Sequence, residues 1–185
     1  MASVLVPLAQ GCEELEAITV VDLLRRAGID VVTAGLDDRP VRASRGSVLL
    51  ADMNLEQALQ GDYDMVVLPG GLPGADHLDN DERVHDLLKS MAGSGGYTAA
   101  ICAAPKVLAR AGLLQGKRAT SYPGAFAPES VPGLEYVDQA VVTDGKVITS
   151  RGPGTAMDFA LELIETLAGR EKRDEVEAAL LRTGR

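Results

Sequence analysis

"YTAAICAAPKVLARAGLL", residues 97–114, reads as a short apolar strand, 97–101, that passes through Cys102 directly into a helix spanning 104–114. A chain that leaves a strand and enters a helix within two residues must turn sharply. The small side chains of Ala99, Ala100, Ala103 and Ala104 give the backbone room to do so. The same strand-then-helix order recurs on both sides. "SVLVPLA" (3–9) is an apolar strand run followed by "CEELEAITVVDLLRRAG" (12–28), whose first turn is acidic and last turn basic, matching the helix macrodipole. Gly28 is its expected stop. "DVVTAGL" (30–36) and "DMVVLPGG" (64–71) read as strands, the second ending in glycines. "NLEQALQ" (54–60) is a short helix capped by Asn54, and "NDERVHDLLKSMAG" (80–93) is an amphipathic one. "GPGTAMDFALELIETLAG" (152–169) starts a helix on Pro153, and "EKRDEVEAALLR" (171–182) adds a charged terminal helix. Strands that alternate with helices predict a mostly parallel sheet covered by helices on both faces.

Two stretches depart from that alternation. "VRASRGSVLLADM" (41–53) predicts a small hairpin turning near Gly46, and 119–150 predicts short strands with an antiparallel excursion. No repeat, linker or low-complexity tract divides the 185 residues, so one domain over 1–185 is expected.

Composition narrows the partners. With 46% hydrophobic and 24% charged residues the chain has an ordinary globular balance. Its net charge of −9 argues against nucleic acid and anionic membranes, which are themselves negative. No apolar run approaches a membrane span, and the N-terminus lacks a basic, apolar leader pattern. Two cysteines, Cys12 and Cys102, make no disulfide framework, so a reducing cytoplasm is the expected location. His77 and His85 fit no metal-ligand spacing, and neither a metal nor a cofactor is expected.

In the first helix, Val20, Leu23, Leu24 and Ala27 form one apolar stripe, while Leu15, Ile18 and Val21 widen it beyond a single face. A helix apolar on more than one side buries more than one side. Two accounts fit: a thickly covered core helix, or a surface that pairs two copies of the chain.

In open parallel sheets, ligands bind beyond the carboxyl ends of the strands. Three such ends carry chemistry here: "QGCEELE", "GGLPGA" and Cys102. At Cys102 the turn matches the nucleophile elbow of hydrolases. A thiol there lies near a helix N-terminus, which favours the thiolate, although a buried structural thiol fits the same seven residues. Glycines after a strand permit exposed amides that could hold an oxyanion, although most such stretches are plain turns. "GGLPGA" does not match a dinucleotide fingerprint, and no helix pattern is evident after it. Glu13, Glu14 and Glu16 are either first-turn stabilisers or the source of one inward carboxyl that shares protons with the thiol. Spacing does not choose among the three.

Taken in order, "GCEELEA", "DLLRRAGI", "SRGSVLLAD", "YDMVVLPGGLPGA", "AAICAAP" and "TSRGPGTAMDFAL" make the chain resemble the ThiJ/PfpI superfamily, in its parkinsonism-associated deglycase branch. The resemblance implies a flavodoxin-like three-layer sandwich related to class I glutamine amidotransferases, and a homodimer. It implies that Cys102 is the nucleophile, Glu16 the glutamate hydrogen-bonded to it, and Gly71 and Ala103 the oxyanion-hole amides. Arg45, Arg26 and Tyr122 then lie near the pocket mouth, Arg26 from across a dimer. Arg26 serves equally well as a helix C-terminal cation. The implied activity is a deglycase or cofactor-independent glyoxalase acting on methylglyoxal-type dicarbonyls or their early adducts under carbonyl and oxidative stress. A redox sensor or redox-regulated chaperone using the same cysteine is the alternative, with Cys12 as a second oxidisable thiol. Two departures weigh against peptidase chemistry. Ala103 stands where protease-like members place a histidine, and Tyr122 precedes Pro123 where other relatives place one.

Overall fold

Along the central strands, successive residues face opposite cores. Val4, Val6, Leu8, Met65, Val67, Ala99, Ile101 and Ile148 pack into one apolar cluster. Leu5, Val66, Leu68, Ala100 and Val147 pack into a second. Both faces of these strands are therefore buried, as a sheet between two helical layers requires. Each leucine buried completely contributes about 2 kcal/mol through removal of apolar surface from water.

The computed structural model describes residues 1–182. Its elements run β1 (Ser3–Leu8), α1 (Glu14–Arg26), β2 (Asp30–Gly35), β3 (Val41–Arg42), β4 (Val48–Leu49), β5 (Met53–Asn54), α2 (Leu55–Ala58), β6 (Met65–Leu68), α3 (Gly74–Asp79), α4 (Glu82–Gly93), β7 (Tyr97–Ile101), α5 (Pro105–Arg110), β8 (Arg118–Ala119), β9 (Glu135–Tyr136), β10 (Val141–Asp144), β11 (Val147–Ser150), α6 (Ala156–Ala168) and α7 (Arg170–Ala179). The main sheet has seven strands in the order β10-β11-β7-β6-β1-β2-β5. All its pairings are parallel except β10 with β11. Its five central strands follow the flavodoxin-like order, and the chain reverses its winding between β1 and β6. Residues from α1, α6 and α7 line one core, and residues from α2, α4 and α5 line the other. The α/β sandwich expected from the sequence is thus the architecture found.

Local boundaries differ where turn chemistry overrides pattern. The helix expected at 104–114 ends at Arg110, because the chain turns at Gly112 with φ of +81°. The expected 41–53 hairpin is realised by β3 and β4, but Met53–Asn54 leaves it to pair in parallel with β2. Within 119–150, β8 and β9 pair in parallel, and the antiparallel excursion is confined to β10 and β11. A short helix, α3, does follow the glycine loop. Its six residues are too few for a periodic signal, and Leu72-Pro73 ahead of it is a cis peptide. The terminal helix α7 packs against α6 through Val176 and a half-hidden ion cluster of Arg173 with Glu165, Asp174 and Glu177.

The two accounts of α1 divide its residues between them. Ala17, Val20, Val21, Leu23 and Leu24 are buried against the sheet and α6. Leu15 and Ile18 remain 50% and 47% exposed. No helix among the described residues is long and apolar enough to cross a membrane.

Candidate active site

The reversal of winding places the ends of β1 and β6 side by side, and β7 ends next to them. The loops that follow these three strands build one site.

Cys102 follows β7 with φ of +64°, a left-handed conformation rare for a residue with a side chain. The turn is held by hydrogen bonds on both sides of the residue. Its N–H donates to the Ser150 carbonyl at 3.0 Å, and its own carbonyl accepts from Tyr122 N–H at 2.8 Å. The strained turn leaves the residue buried, 9% exposed, beside the backbone N–H groups of Gly71 and Ala103, which donate to its sulfur. Gly71 itself has φ of +85°, and a Cβ there would come within 2.4 Å of the Glu13 nitrogen. Glycine is required at this position by conformation and by space together.

Glu16, in the first turn of α1, is fully buried. Its Oε2 accepts from Gly70 N–H at 2.8 Å, and its carboxyl is hydrogen-bonded to the Cys102 thiol. Oε1 is buried without a partner of its own among the described residues. Gly70 lies against both groups: a Cβ on it would lie 2.6 Å from the Cys102 Cβ and 2.7 Å from Glu16 Oε2.

Burial dominates the electrostatics. Desolvation pushes Glu16 up to about 7 and keeps it protonated well beyond the usual carboxylate range. Desolvation, then the charge of Glu16, pushes the Cys102 thiol up to about 12, while the Gly71 and Ala103 N–H groups pull the other way. The thiolate expected near neutrality is thus not favoured beside a charged Glu16. The two groups instead titrate as one unit, which carries a single negative charge above about pH 7. A protonated Glu16 can leave that charge on sulfur.

The remaining expected residues divide into those brought here and those left away. Tyr122 is held to Cys102 through its backbone, and its ring lies against Gly152 with 54% of the residue exposed. Arg45 sits on the 44–47 turn. Glu14 grips that turn by accepting from Arg45 N–H at 3.0 Å and Ser47 N–H at 3.3 Å, and Glu13 accepts from Ser44 Oγ at 2.8 Å. These donors overcome desolvation and hold Glu14 down to about 2. Arg26 is not brought to the site within one chain. It caps the opposite end of α1, about 15 Å along the axis from Glu16 by helical rise, and pairs with Asp22 at 2.8 Å. Cys12 is no accessible second thiol: it is fully buried in the apolar cluster. His77 and His85 lie on α3 and α4, and His85 faces the Asp79 carbonyl at 2.9 Å. Sequence reasoning missed Gly70 and the Ser150 carbonyl. The doubled glycine of "LPGG" was the available signal for the first, and backbone contacts of the second kind leave none.

The family model for the DJ-1/PfpI family matches residues 2–166. The chain is 51% identical to protein dj-1beta of Drosophila melanogaster over 97% of this chain and 96% of that one. The crystal structure of Drosophila DJ-1beta superposes with a TM-score of 0.93 at 50% identity, covering 99% of each chain. Oxidized DJ-1 of Toxoplasma gondii superposes with a TM-score of 0.91 at 39% identity and 100% coverage of both chains. A Caenorhabditis elegans protein described as glutathione-independent glyoxalase DJR-1.2 is 37% identical over 95% of this chain and 92% of its own length.

Proposed function

The chain belongs to the DJ-1/PfpI family, and on that premise we propose that it is a cysteine-dependent enzyme acting on methylglyoxal-type dicarbonyls or their early glycation adducts. The observation that carries this reading is the set of groups around one sulfur: a thiol on a strained turn, two amide donors and a carboxyl that holds its proton to about pH 7. The glyoxalase description of the nematode relative supports the same reaction class.

In this mechanism the Cys102 sulfur attacks the aldehyde carbon, forming a C–S bond and an alkoxide. The N–H groups of Gly71 and Ala103 hold the developing oxyanion. Glu16 first protonates the adduct to a hemithioacetal. As a carboxylate it then removes the proton from that carbon and delivers it to the neighbouring one, while the hemithioacetal hydroxyl proton passes to the neighbouring carbonyl oxygen, giving a lactoyl thioester. Water cleaves the thioester to lactate and restores the thiol, so methylglyoxal plus water becomes lactate with no external oxidant. In this reading Tyr122, held to Cys102 through its backbone, and Arg45 are assigned to the mouth. Lactate formation by the purified protein from methylglyoxal without glutathione is the expected result, and its absence removes the reading.

The redox-sensor reading has a specific support in the oxidized state of the Toxoplasma relative. Mild peroxide that adds two oxygens to Cys102, in a protein that turns over no dicarbonyl, would favour it. The exposed Leu15 and Ile18 support a homodimer formed through α1. Light scattering is expected to give about twice the 19.4 kDa chain mass, falling to one chain in Ile18→Glu. Two free thiols suit a reducing compartment such as the cytoplasm.

A further inference from the structure

The two amide donors that meet at the Cys102 sulfur come from different parts of the chain. Gly71 follows β6, and Ala103 follows β7. Each is joined at once to a short helix. The Gly71 carbonyl accepts from Ala75 N–H of α3 at 2.8 Å, and Ala103 stands two residues before α5. Paired strand residues end at Leu68 and Ala100, short of both donors. Beyond that point, the hydrogen bonds and ion pairs that tie 70–79 to 103–110 among the described residues are side-chain ones. Lys106 Nζ donates to Asp76 Oδ1, and Arg110 donates to Asp79 at 3.2 Å. Arg110 is largely exposed, so its pair contributes little. The Lys106 side chain is four-fifths hidden and lies three residues from Ala103, while Asp76 lies five residues from Gly71.

We propose that the Lys106–Asp76 ion pair is a positioning clamp that fixes α3 against α5 and so sets the separation of the Gly71 and Ala103 amides. Neither side chain touches the reacting atoms. Their effect passes through the two helices to donors whose usefulness depends on distances correct to a fraction of an ångström. The role in turnover rests on the function proposed above, but the role in stabilising the sulfur anion does not.

The closing experiment therefore reads the sulfur first. Alkylation of Cys102 by iodoacetamide, followed as a function of pH and located by peptide mass, reports how well the two amides support the thiolate. Lys106→Met and Asp76→Asn are each expected to move that profile up by about one pH unit, with circular dichroism unchanged. In methylglyoxal turnover the same variants are expected to lose about tenfold in kcat with KM held within about twofold. The reversed pair, Lys106→Asp with Asp76→Lys, is expected to recover most of both losses. Should Lys106→Met fail to fold, Asp76→Asn, at a half-exposed site and of the same shape, carries the test alone. Alkylation profiles that superimpose on that of the unaltered protein overturn the clamp. A protein that turns over no dicarbonyl, yet shows the shifted profiles, overturns the enzyme and leaves the clamp standing.

Discussion

Cys12 and Cys102 occupy matching places, one after β1 and one after β7, and both lie close enough to Glu16 to feel its charge. Burial raises both thiols, Cys12 to about 11 and Cys102 to about 12. Acidity alone would rank them nearly equal. What separates them is backbone geometry. Cys12 sits in the apolar cluster with its carbonyl taken by Ser44 N–H, whereas the left-handed turn at Cys102 holds sulfur at the surface of the same core. There it meets two amides from other segments and a carboxyl that can hand it a proton's worth of charge. On the proposed reading, the two thiols differ by access and partners more than by acidity.

The sharpest way to break this contrast is to exchange the sulfurs one at a time. Cys102→Ser should reduce lactate formation by about a thousandfold or more, since the weakly acidic hydroxyl lacks an adjacent base strong enough to activate it. A smaller loss would move the chemistry elsewhere.

Glu16→Gln tests the partner. Turnover is expected to fall about a hundredfold, within the range of a lost acid–base group. In the unaltered protein the rate should rise with pH through about 7, where the pair acquires its single negative charge. Stability carries the opposite sign. The Glu16 pKa is raised on folding from 4.5 to about 7, so its contribution is full below pH 4.5 and is lost as pH climbs through 7. Urea titrations at pH 5 and pH 8 should show that slope, amounting to about 3 kcal/mol at most, and Glu16→Gln should flatten it.

Gly71→Ala sharpens the comparison from the side of the amides. A methyl group within 2.4 Å of the Glu13 nitrogen, at φ of +85°, must displace the loop. The expected cost is about 2–3 kcal/mol in denaturant midpoint analysis, together with a loss of turnover of about tenfold or more. Cys12→Ser should do least. It places a hydroxyl in an apolar cluster and is expected to cost about 1–2 kcal/mol, while lactate formation stays within about twofold. A large loss of turnover in that variant would erase the distinction between the two thiols.

The sheet was legible because its evidence is repetitive. The apolar runs 3–9, 30–36, 64–71 and 97–101 each precede helical spacing, and neither the four-residue overrun past Arg110 nor the reassignment of Met53 changes the order of the main strands. The sharp turn at Cys102 was legible for a different reason: small residues between a strand and a proline-started helix leave room for the left-handed backbone found there, while a buried thiol and a nucleophile fit those residues alike. The resemblance to known motifs then named Glu16, which spacing alone had left level with Glu13 and Glu14. Arg26 shows the converse. The resemblance placed it near the pocket only from across a dimer, and within one chain it stands in the last turn of α1, as its reading as a helix C-terminal cation expects, and pairs with Asp22.

From its sequence alone this protein determined the alternation of strand and helix, the acidic first turn of α1, and the glycines and alanines that allow two tight turns. These are local preferences of spacing, propensity and size, and they act over a few residues. Only the tertiary structure decided that Glu16 and not its neighbours turns inward, that the bare backbone of Gly70 leaves room for it beside the sulfur, and that Cys12 is sealed while Cys102 is not. Those outcomes depend on how three loops distant in the chain converge where the sheet reverses its winding. No local preference encodes that convergence, because it is fixed by the packing of both helical layers at once.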